Sequence, residues 1–396
     1  MLDLGSSFLA SVARDPGALA IVDGDVRLTY GAWHEKISAL VAGFDALGLE
    51  AGDHLVTVLQ NRWQAATIHW ACQFAGIIVT PLNWRCSAHE LDFCVDDADA
   101  KVVIYEDVCA AAVHSSNQAR ARRRIAIGKA RPQDLAFDAL IRGSAPAVRP
   151  RVDAEAWSVM LYTSGTTARP KGVPRRQRAE RAAALAHVAQ NLYAAHERTL
   201  GAMPLYHTMG VRSLLAMSLI GGAFICLPRF EVARALELIA AERITNLYLV
   251  PTLYHDLLHH ERFATTDVSS VRKLGFAGAP MTDGLLQSLS ATFRPQLFVN
   301  HYGSSEIYTF TIDQNAPAKP GSAGRAAPSR SSMSSVGGWK VEARDSSLRS
   351  GPASNTVTGT PPRMRLAAAT RPTGPAPAIN TRSSIGMMLS DGSGAG

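Results

Sequence analysis

Between Leu161 and Pro174 the chain reads LYTSGTTARPKGVP, which gathers the hydroxyls of Thr163, Ser164, Thr166 and Thr167, the glycines Gly165 and Gly172 and the cation of Lys171 into one short stretch. Successive small residues let backbone amides converge on an anion, hydroxyls donate further hydrogen bonds, and a lysine adds a point charge. Together they suit a cradle for phosphate oxygens. A Walker loop needs Ser or Thr directly after its lysine, whereas Pro170 precedes and Gly172 follows Lys171, so the stretch does not read as an ordinary P-loop. Standing alone, it would read as a polar surface loop.

Three further stretches carry chemistry-bearing residues downstream. PLYHTMG (Pro204 to Gly210) places His207 and Met209 at the head of an apolar run. GFAGAP (Gly275 to Pro280) and HYGSSE (His301 to Glu306) each join a strand pattern to a glycine turn. A fourth, YHDLLHHER (Tyr254 to Arg262), sets His255 and His259 four apart, the spacing of two metal ligands on a helix. Asp256 stands where a zinc protease carries glutamate and no third ligand is evident, so a solvated helix face is the better reading.

The elements that position these residues alternate. HLVTVLQ, IIVTPLN and KVVIYED read as strands, with a helical pattern, RWQAATIHWACQFAG, between the first two. Beyond the Thr/Gly stretch, Arg178 to His196 reads as a helix and Ser213 to Leu227 as a buried helix, a turn and a strand. EVARALELIAAER reads as a helix, and ITNLYLVP, VRKLGFAGAP and QLFVNHYGSSE as strands. Such alternation predicts an α/β fold with doubly wound, mostly parallel sheets and ligands at the carboxyl ends of the strands, where the glycine turns fall.

Composition sets limits. With 396 residues and 47% hydrophobic side chains the chain can bury a large core. The net charge of +7 sits mostly after Arg325, where eight lysines and arginines face three acids; the nearly neutral body argues against nucleic-acid binding. The five scattered cysteines read as reduced cytosolic thiols and the N-terminus lacks a secretory pattern, so a cytoplasmic location is expected. No run is long and apolar enough for a membrane span.

In their order and residues, YTSGTTARPKG, PLYHTMG, GFAGAP and HYGSSE resemble the motifs of the adenylate-forming (AMP-binding) enzymes, the family of acyl-CoA synthetases, aryl-CoA ligases, luciferases and peptide-synthetase adenylation domains. The resemblance covers roughly residues 10 to 325, and PLYH with the helix after it looks most similar to benzoate and halobenzoate CoA ligases. It implies an ATP-dependent carboxylic acid CoA ligase working through an acyl-adenylate, with ATP, Mg2+ and coenzyme A. Thr163, Ser164, Gly165, Thr166, Thr167 and Lys171 would hold the β- and γ-phosphates. Glu306 would hold the metal, Ser304 and Ser305 would face the α-phosphate, and Tyr302 would stack on adenine beside Gly303, with Gly278, Ala279 and Pro280 lining the base. Lys171, His207 and Glu306 would be the catalytic residues, and His207, Met209, Ile307 and Tyr308 would form a short apolar pocket for an aromatic acid, with one polar edge. The resemblance admits a homodimer. Ala168 stands where the family usually has glycine, which would weaken phosphate binding.

The palette changes after Arg325. All Phe, Tyr, His and Cys residues lie before residue 311, and Trp339 is the single aromatic residue beyond Arg325. A segment of Ser, Ala, Gly, Pro, Thr and Arg buries too little apolar surface to offset its ordering entropy, so disorder is expected there. The expected organisation is an incomplete AMP-binding large domain over 1–325 and a low-complexity tail over 326–396. The tail lacks the Thr-Gly-Asp ribose motif, the hinge and the small domain with its second lysine that the family carries, so the chain would be an impaired ligase or a remnant that binds nucleotide or a small carboxylic acid without turnover. A frame-shifted reading of GC-rich DNA accounts for the change. Translating the other two forward frames beyond codon 325 should then recover a Gly-Asp ribose motif; if neither frame does, the frameshift is wrong.

Overall fold

The structure is a computed structural model that describes residues 2–163 and 169–326. Ser164, Gly165, Thr166, Thr167 and Ala168, and the tail beyond residue 326, lie outside the described residues.

Two sheets organise the chain. In the first, seven strands run in the order Leu135–Ala136, Arg123–Ile127, Val102–Glu106, His54–Val58, Ile78–Leu82, Trp157–Thr163 and Lys171–Arg176; all neighbours are parallel except the last pair, which is antiparallel. The second has nine, in the order Arg325–Ala326, Thr311–Asp313, Leu297–Tyr302, Lys273–Phe276, Asn246–Leu249, Arg198–Gly201, Ala223–Cys226, Leu19–Asp23 and Val26–Thr29; its six central strands are parallel and antiparallel strands close both edges. This is the doubly wound, mostly parallel architecture expected from the alternation.

Helices cover the sheets because the parallel strands are apolar on both faces. One core cluster runs from Ile21 and Phe224 of the nine-stranded sheet through the helical residues Trp33, Trp70 and Leu214 to Leu55 and Ile104 of the seven-stranded sheet. A second packs Leu236, Leu257 and Leu289 on the nine-stranded sheet, and a third packs Leu91, Val95 and Val113 on the seven-stranded one. Helix ends follow local chemistry: Ser87 and Glu90 form a capping box, and Gly76 and Gly221 terminate their helices in the left-handed conformation at φ +78° and +72°.

One helix differs from its expected bounds. The pattern from Arg178 to His196 predicts a single helix, but the observed helix is Gln177–Gln190. Asn191 turns its amide back onto the His187 carbonyl at 2.8 Å, Leu192 takes φ +50° and Tyr193 is buried against the His187 ring. Alanine-rich periodicity continues through this point; side-chain hydrogen bonding to the backbone stops the helix.

The helix Thr208–Ile220 starts against its own approach segment. A Cβ at Gly210 would lie 2.1 Å from the Pro204 carbonyl oxygen, whereas one at Gly284, in the helix Asp283–Phe293, would meet nothing within 4 Å. The Pro204 carbonyl is backbone and cannot swing aside. Gly210→Ala should therefore destabilise the chain by about 1–3 kcal/mol, and Gly284→Ala should stabilise it by up to about 1 kcal/mol, as read from denaturant midpoints. Equal midpoints for the two variants would show that this packing is not the constraint.

Candidate active site

The expected site residues come from four stretches of the chain. Strand Trp157–Thr163 returns as strand Lys171–Arg176, which sets Thr163 directly opposite Lys171 at the loop end of a hairpin. Lys171 is exposed, and a Cβ at Gly172 would fall 2.5 Å from Met160 Sδ, so a larger residue there would push the Met160 side chain aside. The stretch joining the two strands is the one that carries Ser164 to Thr167.

At the carboxyl ends of the nine-stranded sheet, Gly278, Ala279, Pro280, Tyr302 and Gly303 line one cavity of about 380 Å3. Gly278 turns there with φ +86°. Tyr302 is 59% exposed and offers a ring face. Phe276, Met281, Asn300, Lys319 and Ser322 share the lining and escaped sequence reasoning; Asn300 and Tyr302 could have been paired from their spacing, since alternate residues of a strand share a face.

Gly303 opens a tight loop. A Cβ on it would lie 1.8 Å from the Tyr308 carbonyl oxygen, the Ser304 amide donates to the Ile307 carbonyl at 3.3 Å, and the Phe310 amide donates to the Tyr302 carbonyl at 2.7 Å. Ser304, Ser305 and Ile307 are half-buried on this loop, and Glu306 is exposed with no ion pair or hydrogen bond among the described residues. Its carboxylate is free to ligate a cation.

What holds this loop to the hairpin is a cluster of charges that the motifs do not announce. Arg175, on strand Lys171–Arg176, pairs with Glu180 at 2.7 Å; both are buried. Its Nη1 donates to the Ser305 carbonyl at 2.6 Å, and its guanidinium lies 3.7 Å from the Tyr308 ring centre. The Tyr308 hydroxyl donates to Glu180, and Arg212, from the helix Thr208–Ile220, covers the ring at 4.2 Å. Burial beside Glu180 pushes the Tyr308 phenol well above its ordinary range, so it stays protonated and can donate. The expected short pocket of His207, Met209, Ile307 and Tyr308 was to have one polar edge; on the Tyr308 side two guanidiniums cover the ring. Met209 is buried in the core of the nine-stranded sheet.

His207 caps the helix Thr208–Ile220: its Nδ1 accepts from the Met209 amide at 3.3 Å. The half-buried ring is crowded by protein, and that desolvation, aided by the charge of Arg212, pushes its pKa down to about 4, so it is neutral at ordinary pH. Its approach segment is fixed by Asn61, in the connection after the strand His54–Val58. The Asn61 amide donates to the Gly201 and Met203 carbonyls at 2.7 and 2.8 Å and accepts from the Leu205 amide at 2.9 Å. Next to it, Arg62 pairs with Asp23 at 2.9 Å and Glu106 at 3.4 Å. The other histidine pair, His255 and His259, stacks at 4.0 Å on an exposed helix face, and no helix among the described residues is long and apolar enough to cross a membrane.

Comparison with known proteins gives the family. The pattern describing the AMP-binding enzyme family matches residues 8–333. A feruloyl-CoA synthase from Amycolatopsis sp is 30% identical over 314 residues, 76% of this chain and 59% of that protein. A 4-chlorobenzoate--CoA ligase from Arthrobacter sp is 27% identical, over 78% of this chain and 60% of that protein. The chain therefore spans about three fifths of the length of these relatives. Among solved structures, the N-terminal domain of FACL13 from Mycobacterium tuberculosis superposes with a TM-score of 0.74 at 24% identity, over 82% of this chain and 83% of that one, which shows the shared fold. The chain belongs to the AMP-binding enzyme family.

Proposed function

We propose that this chain binds ATP and a small aromatic carboxylic acid and joins them as an acyl-adenylate, the first half of a carboxylic acid CoA ligase reaction. In that reaction a carboxylate oxygen attacks the α-phosphorus and pyrophosphate leaves; the thiol of coenzyme A then attacks the acyl carbon and AMP leaves. An anion thereby meets an anionic phosphate, so cations and donors have to be in place beforehand. The observation that carries the proposal is that one short loop, Gly303 to Tyr308, borders the cavity at Tyr302 and is bonded through Ser305 to the hairpin of Lys171. Tyr302 would stack on adenine between Gly278, Ala279 and Pro280, and Ser304 and Ser305 would face the α-phosphate. Lys171, with Thr163 and the Ser164–Thr167 stretch, would hold the outer phosphates, and neutral His207 would border the reacting carboxylate. Glu306 fits a hard cation that keeps its remaining ligands from phosphate and water; Mg2+ held there would neutralise phosphate charge. The aromatic preference draws support from relatives named for feruloyl and 4-chlorobenzoate.

A second reading is favoured by the sequence after Arg325, which contains no Thr-Gly-Asp: the chain binds nucleotide and acid without turnover. Pyrophosphate release from ATP with a panel of aromatic acids separates the two. Under the first reading release depends on acid, and Glu306→Gln should slow it by about 100-fold or more. Tyr302→Ala should weaken Mg·ATP binding by about tenfold, the scale of losing one base-stacking contact. ATP binding with no release supports the second reading; a folded chain that binds no nucleotide defeats both.

A further inference from the structure

The helix Thr208–Ile220 carries one charged residue, Arg212, and its side chain is 3% exposed. A guanidinium keeps its charge at ordinary pH, so burying it is costly unless an anion compensates. Among the described residues no carboxylate pairs with it. Nη1 donates to Thr309 Oγ1 at 2.9 Å, while Glu180, whose charge reaches it, is taken by Arg175 and by the Tyr308 hydroxyl. Among the described residues Nε and Nη2 have no hydrogen-bond partner; the Tyr248 hydroxyl stands near enough to the guanidinium to accept from it.

Two histidines, His187 of the helix Gln177–Gln190 and His301 of the strand Leu297–Tyr302, share the position. His187 Nδ1 faces the Asn191 amide nitrogen at 3.0 Å and accepts from it, which puts the His187 proton on Nε2, buried and unpartnered. His301 Nε2 faces the Asn191 carbonyl oxygen at 3.3 Å and donates to it, leaving Nδ1 buried and unpartnered. The two rings lie 5.1 Å apart, and Tyr248 lies 4.7 Å from His187 and 5.2 Å from His301. Burial and the charge of Arg212 hold both imidazoles well below their ordinary range, so both are neutral and add no cation of their own. Native interiors leave few buried polar groups unpaired. Here Arg212 Nε–H and Nη2–H and His187 Nε2–H are three unspent donors around one uncompensated charge. Gly275 makes room for the cluster: a Cβ there would lie 3.0 Å from the Tyr248 ring and 3.3 Å from Asn191 Oδ1.

His207 heads the helix that carries Arg212 five residues on, near enough for the Arg212 charge to act on the His207 ring, and a small ring with groups at opposite ends would bridge the two. We infer that Arg212, flanked by His187 and His301, anchors a second carboxylate on the acid, so that the preferred substrate is a compact aromatic dicarboxylate with one carboxylate near His207 and the other at Arg212. This rests on the proposed placement of the reacting carboxylate beside His207, and it makes Arg212 a specificity-determining residue.

The test uses the full 396-residue chain with AMP present, and calorimetry with benzene-1,4-dicarboxylate and with 4-methylbenzoate, which has a methyl group in place of the distal carboxylate. The wild-type chain should bind the dicarboxylate tighter by about tenfold or more. Arg212→Met should reduce that preference to within about twofold, and Arg212→Lys, which keeps the charge, should retain part of it. Thermal melts show whether each variant is folded; should the Met variant fail to fold, the wild-type preference and the Lys variant decide. Equal or tighter wild-type binding of 4-methylbenzoate overturns the inference, as does a preference that survives in folded Arg212→Met. In either case pyrophosphate release driven by 4-methylbenzoate leaves the ligase reading standing. If neither nucleotide nor any acid binds, both fall together.

Discussion

The buried pair of Arg175 and Glu180 is the constraint on which the site depends. Removing one partner of such a pair strands a charge in the interior, at a cost of about 3–5 kcal/mol. This pair also carries geometry. Arg175 belongs to the strand that begins with Lys171, Glu180 to the helix that follows, and between them they hold Ser305 through its carbonyl and Tyr308 through its ring and hydroxyl. The hairpin and the Gly303–Tyr308 loop are distant in sequence and lie on different sheets, so neither could hold a phosphate chain in common without a rigid link. An apolar contact would resist separation but would permit sliding. A charge-assisted hydrogen bond to one carbonyl, with a stacked ring beside it, fixes direction as well as distance.

Strand Leu297–Tyr302 divides the labour of the site between its two faces. Successive side chains point to opposite sides: Asn300, His301 and Tyr302 all border the cavity of Gly278 and Pro280, but the His301 ring packs on Asn191, His187 and Tyr248. The strand therefore separates the proposed nucleotide side from the cluster of unspent donors, and the loop that follows, through Tyr308 and Thr309, reaches Arg212. A shift of register by one residue would exchange the two faces. Parallel pairing with Lys273–Phe276 across four residue pairs and antiparallel pairing with Thr311–Asp313 on the other side hold that register.

Much of this was legible in the sequence because it is local. Strand and helix alternation and the glycine turns at strand ends follow from period and turn chemistry, the grouping of GFAGAP with HYGSSE was implied by the family resemblance, and one cavity is lined by Gly278, Ala279, Pro280, Tyr302 and Gly303. What escaped depends on long-range pairing. Arg175 and Glu180 sit in RRQRAERAA, which reads as a basic helix start, and nothing local marks these two as the buried ones. Asn61 sits in an ordinary connection after the strand His54–Val58, yet its amide organises the backbone before His207. Arg212 did leave a signal: a lone charge inside TMGVRSLLAMSLI is exceptional in an apolar helix and calls for a partner.

That signal also indicates why the cations are arranged unequally. Arg175 has a carboxylate and Arg212 does not, although both stack on Tyr308. Had the two guanidiniums served only to brace the ring, a second acid or a neutral side chain at 212 would brace it at lower cost. Arg212 donates to Thr309 and has the Tyr248 hydroxyl beside it, and among the described residues its Nε and Nη2 stay unspent beside two neutral histidines. A paired arginine holds the scaffold, whereas an unpaired one stores electrostatic free energy that only an incoming anion releases. The asymmetry thus separates a structural cation from one available to a ligand, within a single stack of three side chains.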